Sequence, residues 1–197
     1  MRDVLRPPAG LAWSALVSSV TDDAVLWEFD ADRTLFSASL GKVLLLIEVA
    51  DRIRSGALRQ DEVLSRTAED AVADSGIWQF LRTDGLPVAD LAALVGAVSD
   101  NLATNVLLRC VGIDAVARRA ELLGLAQTRL LDRVRDRRGP GDPVAVSQGT
   151  AREYARLMTM LSRGEPFGPG VADLVLHWLS LGADLSMVAG AFGCDPL

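Results

Sequence analysis

The chain has 197 residues, half of them hydrophobic and 23% charged, with a net charge of -6 at pH 7. That length and apolar share suffice for one buried core and exclude a disordered or fibrous protein. The acidic balance excludes broad attraction to nucleic acid or anionic membrane, and no apolar run reaches the ~20 residues that span a bilayer.

The start, Met1-Arg2-Asp3 followed by Pro7-Pro8, lacks the apolar core of a signal peptide, so the chain reads as cytoplasmic or as one whose leader has been removed. Residues 11–20 and 24–30 are short apolar or alternating runs around Thr21-Asp22-Asp23, which predicts an antiparallel hairpin with Val25, Trp27 and Phe29 on one face. A first helix is predicted over 38–55, with Gly56 as its C-cap signal. Its stretch 43–47 is apolar on all sides and therefore suits the middle of a protein. Further helices are predicted over 88–98, 102–111 and 114–123. Thr150 and Glu153 form a capping box opening another that stops near Gly164, and a last one spans 171–181.

Between them, 131–149 mixes Arg and Asp with Gly139-Pro140-Gly141-Asp142-Pro143 and reads as a long surface loop whose charges, Arg133 to Arg138, are solvated. The architecture expected is α+β: one domain over 1–197, mainly helical over 38–181, with an incomplete antiparallel sheet supplied by the hairpin at 11–30 alone. Trp13, Trp27 and Trp178 are assigned to the core. Trp78 is assigned there too, with a place on a site rim as its alternative, and His177 to a helix surface or the core.

The side-chain inventory narrows the chemistry. Cys110 and Cys194 resemble neither a disulfide framework nor a metal cluster and read as free buried thiols, with a disulfide between them left open. One histidine and no Cys/His grouping leave no basis for a zinc site or a Ser-His-Asp triad, so no metal and no cofactor is expected. Nineteen of the twenty basic residues are arginines, and the single lysine is Lys42. Arginine cannot accept a proton near neutral pH, whereas a desolvated lysine can.

That lysine sits in Ser39-Leu40-Gly41-Lys42, which puts a hydroxyl and an amine on one face of a helix start. The spacing allows Lys42 to reach Ser39. The helix dipole and burial both disfavour the ammonium form and make the amine a better proton acceptor. Sixty residues later, Ser99-Asp100-Asn101 falls at a predicted break between two helices. Each motif alone has an ordinary reading, the first as a helical turn with a solvated lysine and the second as a capping turn.

Together, at this spacing, they resemble the signature of class A β-lactamases and penicillin-binding proteins. The neighbouring text agrees, with Phe36-Ser37-Ala38-Ser39 before the hydroxyl and VSDNLATNVL over 98–107. The resemblance implies that Ser39 is acylated by a β-lactam or related small carbonyl compound and that Lys42 helps remove its proton. It also implies that Ser99 passes a proton to the departing nitrogen, while Asn101 binds the substrate's amide and steadies Lys42. Asp100 reads as structural, holding its turn by side-chain to backbone bonds.

Two departures qualify the likeness. The family's loop glutamate, which orients the deacylating water, has no counterpart between Glu121 and Glu153, and Arg135 falls at its place. Asp132, Asp136 and Asp142 are the candidate substitutes. The expectation is acylation with slow deacylation, with a penicillin-binding or esterase-like enzyme, or a silent ligand-binding descendant, as alternatives. The family's Lys-Thr-Gly strand is absent as well, since Arg54-Ser55-Gly56 ends the helix that Ser39 begins. The likeness runs through Gly190-Ala191-Phe192-Gly193, so the chain reads as truncated before that strand. Residues 11–20 would then be an apolar edge that invites self-association.

Overall fold

The computed structural model describes residues 10–182; Met1-Arg2-Asp3, Pro7-Pro8, the 190–193 segment and Cys194 lie outside the described residues. The predicted hairpin forms from β1 (Ala15–Ser18) and β2 (Val25–Phe29), paired antiparallel with Ala15 opposite Phe29 and Val17 opposite Trp27. Its turn closes where Ser19 N–H donates to the Ala24 carbonyl at 2.9 Å. Trp13 stacks on Phe29 at 5.1 Å between ring centroids and meets Trp27 at 6.3 Å. These two tryptophans, expected in the core, therefore form an aromatic patch on the hairpin, half-buried, while Trp78 and Trp178 are the ones buried in the core. A hairpin of two short strands has too little area to cover such rings on both sides. Val17, Val20, Val25 and Leu26 stay exposed, and among the described residues β1 pairs with β2 alone.

The expectation that the hairpin is the only sheet is corrected by two more small sheets. One is β3 (Leu35–Phe36), β6 (Arg129–Leu130) and β7 (Ser147–Gly149), with β7 in the middle. The other pairs β4 (Val63–Ser65) with β5 (Gly85–Pro87). Strands of two or three residues are too short to display an alternation, and Ser-Gln-Gly reads as turn chemistry rather than strand. The predicted surface loop consequently ends before Ser147, which is buried.

The helices follow the sequence closely. Residues 38–41 make a 3-10 turn, after which α1 (Lys42–Arg54) runs through the centre with Leu44, Leu45, Leu46, Ile47, Val49 and Ala50 buried. It ends at Gly56, whose φ of +76° is the left-handed stop expected of a C-cap glycine. Around α1 lie α2 (Val88–Val98), α3 (Asn101–Val111), α4 (Ile113–Leu122) and α6 (Val171–Ser180), while α5 (Ala151–Arg163) lies against β1 and α6. His177 sits exposed on α6.

Half of the predicted capping box is made: Thr150 Oγ1 accepts from Glu153 N–H at 3.1 Å. The Glu153 carboxylate instead takes the amides of Ala126, Gln127 and Thr128, which holds the chain entering β6. No described helix is long and apolar enough to cross a membrane.

Helices α2 and α6 touch through Gly96, where an added Cβ would stand 3.0 Å from Trp178 Cβ and closer still to the α6 backbone. Gly96→Ala should force these helices apart and cost about 1–3 kcal/mol, as overpacking does, read as a lower midpoint in urea unfolding with little change in slope.

Candidate active site

The link between α2 and α3 brings the second motif to the first. Ser99 ends α2 in the left-handed conformation, φ +55°, which turns the chain sharply enough for Asn101 to begin α3. Asp100 makes that reversal rigid. Its carboxylate caps α3 through Ala103 N–H at 2.9 Å and accepts from the amides of Ile77 and Trp78 at 2.8 and 2.9 Å. Asp100 thus holds its turn as the sequence indicated. Gly76 faces it at φ +118°, and a Cβ there would collide with the Asp100 carboxylate.

Lys42 is 3% exposed and donates to the Ser99 carbonyl at 2.7 Å, to Asn101 Oδ1 at 2.8 Å and to Ser99 Oγ at 3.0 Å. Asn101 Nδ2 donates to the Ala73 carbonyl at 3.1 Å, which fixes which end of the amide faces the lysine. Burial lowers the Lys42 ammonium to about 8, against an opposing pull from the Asp100 charge. The structure therefore gathers Lys42, Ser99 and Asn101 into one cluster. Ser39 lies exposed in the 3-10 turn just before them, and its hydroxyl has no hydrogen bond among the described residues. The Lys42 to Ser39 bond that the spacing allowed is not made, because three acceptors from the α2–α3 link already saturate the ammonium.

Below the turn lies a second polar cluster that the sequence did not reveal. Ser37 Oγ lies 2.9 Å from Ser147 Oγ and 2.6 Å from the Tyr154 hydroxyl, and Ser147 Oγ donates to the Ala38 carbonyl at 2.5 Å. Gly41 permits this approach, since an added Cβ would fall 2.8 Å from Ser147 Oγ. Burial pushes the Tyr154 phenol above its ordinary value, with the bonds to Ser37 and Ser147 opposing.

The long loop is solvated only in part: Arg133, Asp136 and Arg137 are exposed as expected, while Arg135 and Arg138 turn inward. Buried Asp132 accepts from Arg135 Nε at 2.7 Å and from Arg138 at 2.7 Å. Burial would raise its carboxyl, but those two guanidinium groups outweigh it and hold the group low. Asp136 accepts from Ala73 N–H at 2.8 Å, and Asp142 accepts from Gly139 N–H at 2.8 Å and pairs with Arg135 at 3.3 Å. Arginines thus orient Asp132 and Asp142, and a single backbone amide orients the exposed Asp136. Asn105, one turn after Asn101 on α3, binds both the N–H and the C=O of Val134 at 2.9 and 3.0 Å and ties the loop to the helix carrying the site. Its signal in the sequence was a second asparagine four residues after the first, on the same side of the helix. Cys110 is half-buried, and burial, with Glu62 beside it, raises its thiol.

A family model described as the beta-lactamase enzyme family matches residues 1–195. Among solved structures, a β-lactamase from Sphaerobacter thermophilus superposes with a TM-score of 0.79 at 25% identity, covering 87% of this chain and 64% of that one. An ancestral class A β-lactamase gives 0.75 at 27% identity, covering 90% and 68%. PBP-A, solved as a mutant acyl-enzyme complex with penicillin G, gives 0.76 over 87% and 63%, and at 20% identity it shares the fold alone. The chain thus spans somewhat under two thirds of the length of the Sphaerobacter enzyme. No curated protein matches it.

Lys42 gives a stability effect whose sign is fixed. Its amine titrates near 8 in the folded chain and near 10.5 when exposed, so between those values the unfolded chain binds more protons and stability rises with pH. Relative to Lys42→Met, which lacks the group, the wild type should gain about 3 kcal/mol from pH 8 to 10.5, measured by urea unfolding at stepped pH.

Proposed function

The chain belongs to the beta-lactamase enzyme family, and from that footing we propose that it is a serine acyl hydrolase whose Ser39 forms an acyl-enzyme with β-lactams or related carbonyl compounds. The observation that carries this reading is the buried Lys42 amine, lowered to about 8 and bonded to Ser99 and Asn101 one turn from an exposed serine.

The hydrogen-bond arithmetic gives each group a role. An ammonium has three protons, and here they meet three acceptors. When Lys42 loses one, the amine keeps two donors and gains a lone pair. The Ser99 carbonyl and the Asn101 amide oxygen can only accept, so the Ser99 hydroxyl is the one partner able to reverse direction and donate to that lone pair. Ser99 and Lys42 therefore form a proton couple. For the chemical step the lone pair turns from Ser99 to Ser39 and takes its proton as the hydroxyl attacks the carbonyl; the ammonium then gives a proton to Ser99 Oγ as Ser99 gives its own to the departing nitrogen. Asn101 keeps the amine in place and offers its remaining amide capacity to the substrate. The start of α1, behind Ser39, favours the negative charge that develops on the attacked oxygen.

Deacylation needs a water held by a carboxylate that is aimed at the acyl carbon. With Asp132 and Asp142 oriented by arginines, Asp136 by the Ala73 amide, and Arg135 in the loop where the family's glutamate belongs, the acyl-enzyme should be long-lived. That favours penicillin-binding behaviour over rapid turnover.

Benzylpenicillin followed by intact mass should add its own mass to the wild type and nothing to Ser39→Ala, with the adduct persisting over many minutes. The acylation rate should rise with pH as the amine deprotonates around 8 and level off above it. An adduct that clears with turnover would mean that another group positions the water. Folded protein with no adduct would leave a ligand-binding descendant as the reading.

A further inference from the structure

The hydroxyl cluster beneath the nucleophile's turn has only one self-consistent direction. A carbonyl cannot donate, so Ser147 must give its single proton to the Ala38 oxygen, 2.5 Å away. Ser147 Oγ is then left as an acceptor toward Ser37, at 2.9 Å, and Ser37 must be the donor there. With its proton committed, Ser37 can only accept from Tyr154, whose O–H is 2.6 Å away. The chain runs Tyr154 to Ser37 to Ser147 to the Ala38 carbonyl, with every proton assigned.

What it ends on is the peptide immediately before Ser39. Ala38 has φ +45°, a left-handed conformation that a residue with a Cβ holds only when its surroundings impose it. The strand before it is fixed from the same side: β3 pairs with β7, and Ser37 N–H donates to the Ser147 carbonyl at 3.1 Å. The backbone therefore fixes residues 35–37, and the hydroxyl chain reaches one residue further, to the strained carbonyl itself. Tyr154 comes from the first turn of α5, the Thr150-capped helix, so a rigid element stands at the head of the chain.

We propose that Tyr154 is a positioning residue for Ser39, acting through Ser37 and Ser147 to hold the Ala38 carbonyl and so the direction in which the serine hydroxyl leaves its turn. The effect on acylation rests on the reading of Ser39 as the nucleophile; the effect on the turn does not.

The test separates the two. Tyr154→Phe keeps the ring and removes the first proton of the chain, and Ser147→Ala removes the last. Hydrogen exchange by mass spectrometry should speed up in peptides covering 36–41 in both variants, while peptides from α3 and α6 stay as in the wild type. With a fluorescent penicillin, the limiting acylation rate should fall roughly three- to tenfold, the worth of one hydrogen bond, while the half-saturating concentration is unchanged. Tyr154→Phe with Ser37→Ala should lose no more than either alone. Unchanged exchange at 36–41 overturns the proposal, and so does faster exchange with an unchanged acylation rate. If the wild type takes up no penicillin, the nucleophile reading fails, and the exchange result alone then decides whether Tyr154 holds the turn.

Discussion

A single ammonium group, buried at the start of the central helix, sets the terms for the groups around it. Taking such a charge out of water is costly unless acceptors replace the water, and here all three come from residues 99 and 101. Two consecutive helices must therefore meet in a reversal tight enough to aim a carbonyl, a hydroxyl and an amide at one point. The left-handed Ser99 supplies the turn, and Asp100 locks it to the chain at 76–78. The apolar faces of α1 and α3 bring the pieces close, and the polar bonds decide their register. Polar contacts of this kind add less to stability than to uniqueness, since a rotated α3 would leave a buried charge unpaired.

The same site shows a division of labour between neighbouring turns of α3. Asn101 faces Lys42, and Asn105, one turn on, grips the backbone at Val134. Through them one helix sets both the amine and the loop. That loop is also knit from within, by two arginines around a buried aspartate, so its geometry is internal rather than borrowed from solvent.

What the sequence made legible follows from how each feature is encoded. The helices are long enough for periodicity and caps to mark them, and Gly56 and Gly164 lie where the helices stop, both at positive φ. Ser39, Lys42, Ser99 and Asn101 stood out because a motif carries its chemistry in adjacent letters. The small sheets were hidden because two or three residues cannot show a period. Ser37, Ser147 and Tyr154 were hidden for another reason: Ser37 and Ser147 are over a hundred residues apart, and only the pairing of β3 with β7 brings them together. Glu153 misled in a smaller way, since its spacing fitted a reciprocal cap while its carboxylate found three better donors elsewhere.

Lys42 is the only lysine in all 197 residues, so the group on which the site turns is also the one side-chain amine in the molecule. Protein grown on lysine carrying a carbon-13 label at the ε position would yield one side-chain resonance, free of overlap and needing no assignment. Its shift would follow the protonation of this amine directly, before and after a ligand enters, without a reporter dye or a substituted residue. Composition that elsewhere amounts to a preference for arginine has left the protein with a built-in spectroscopic probe at the centre of its candidate site.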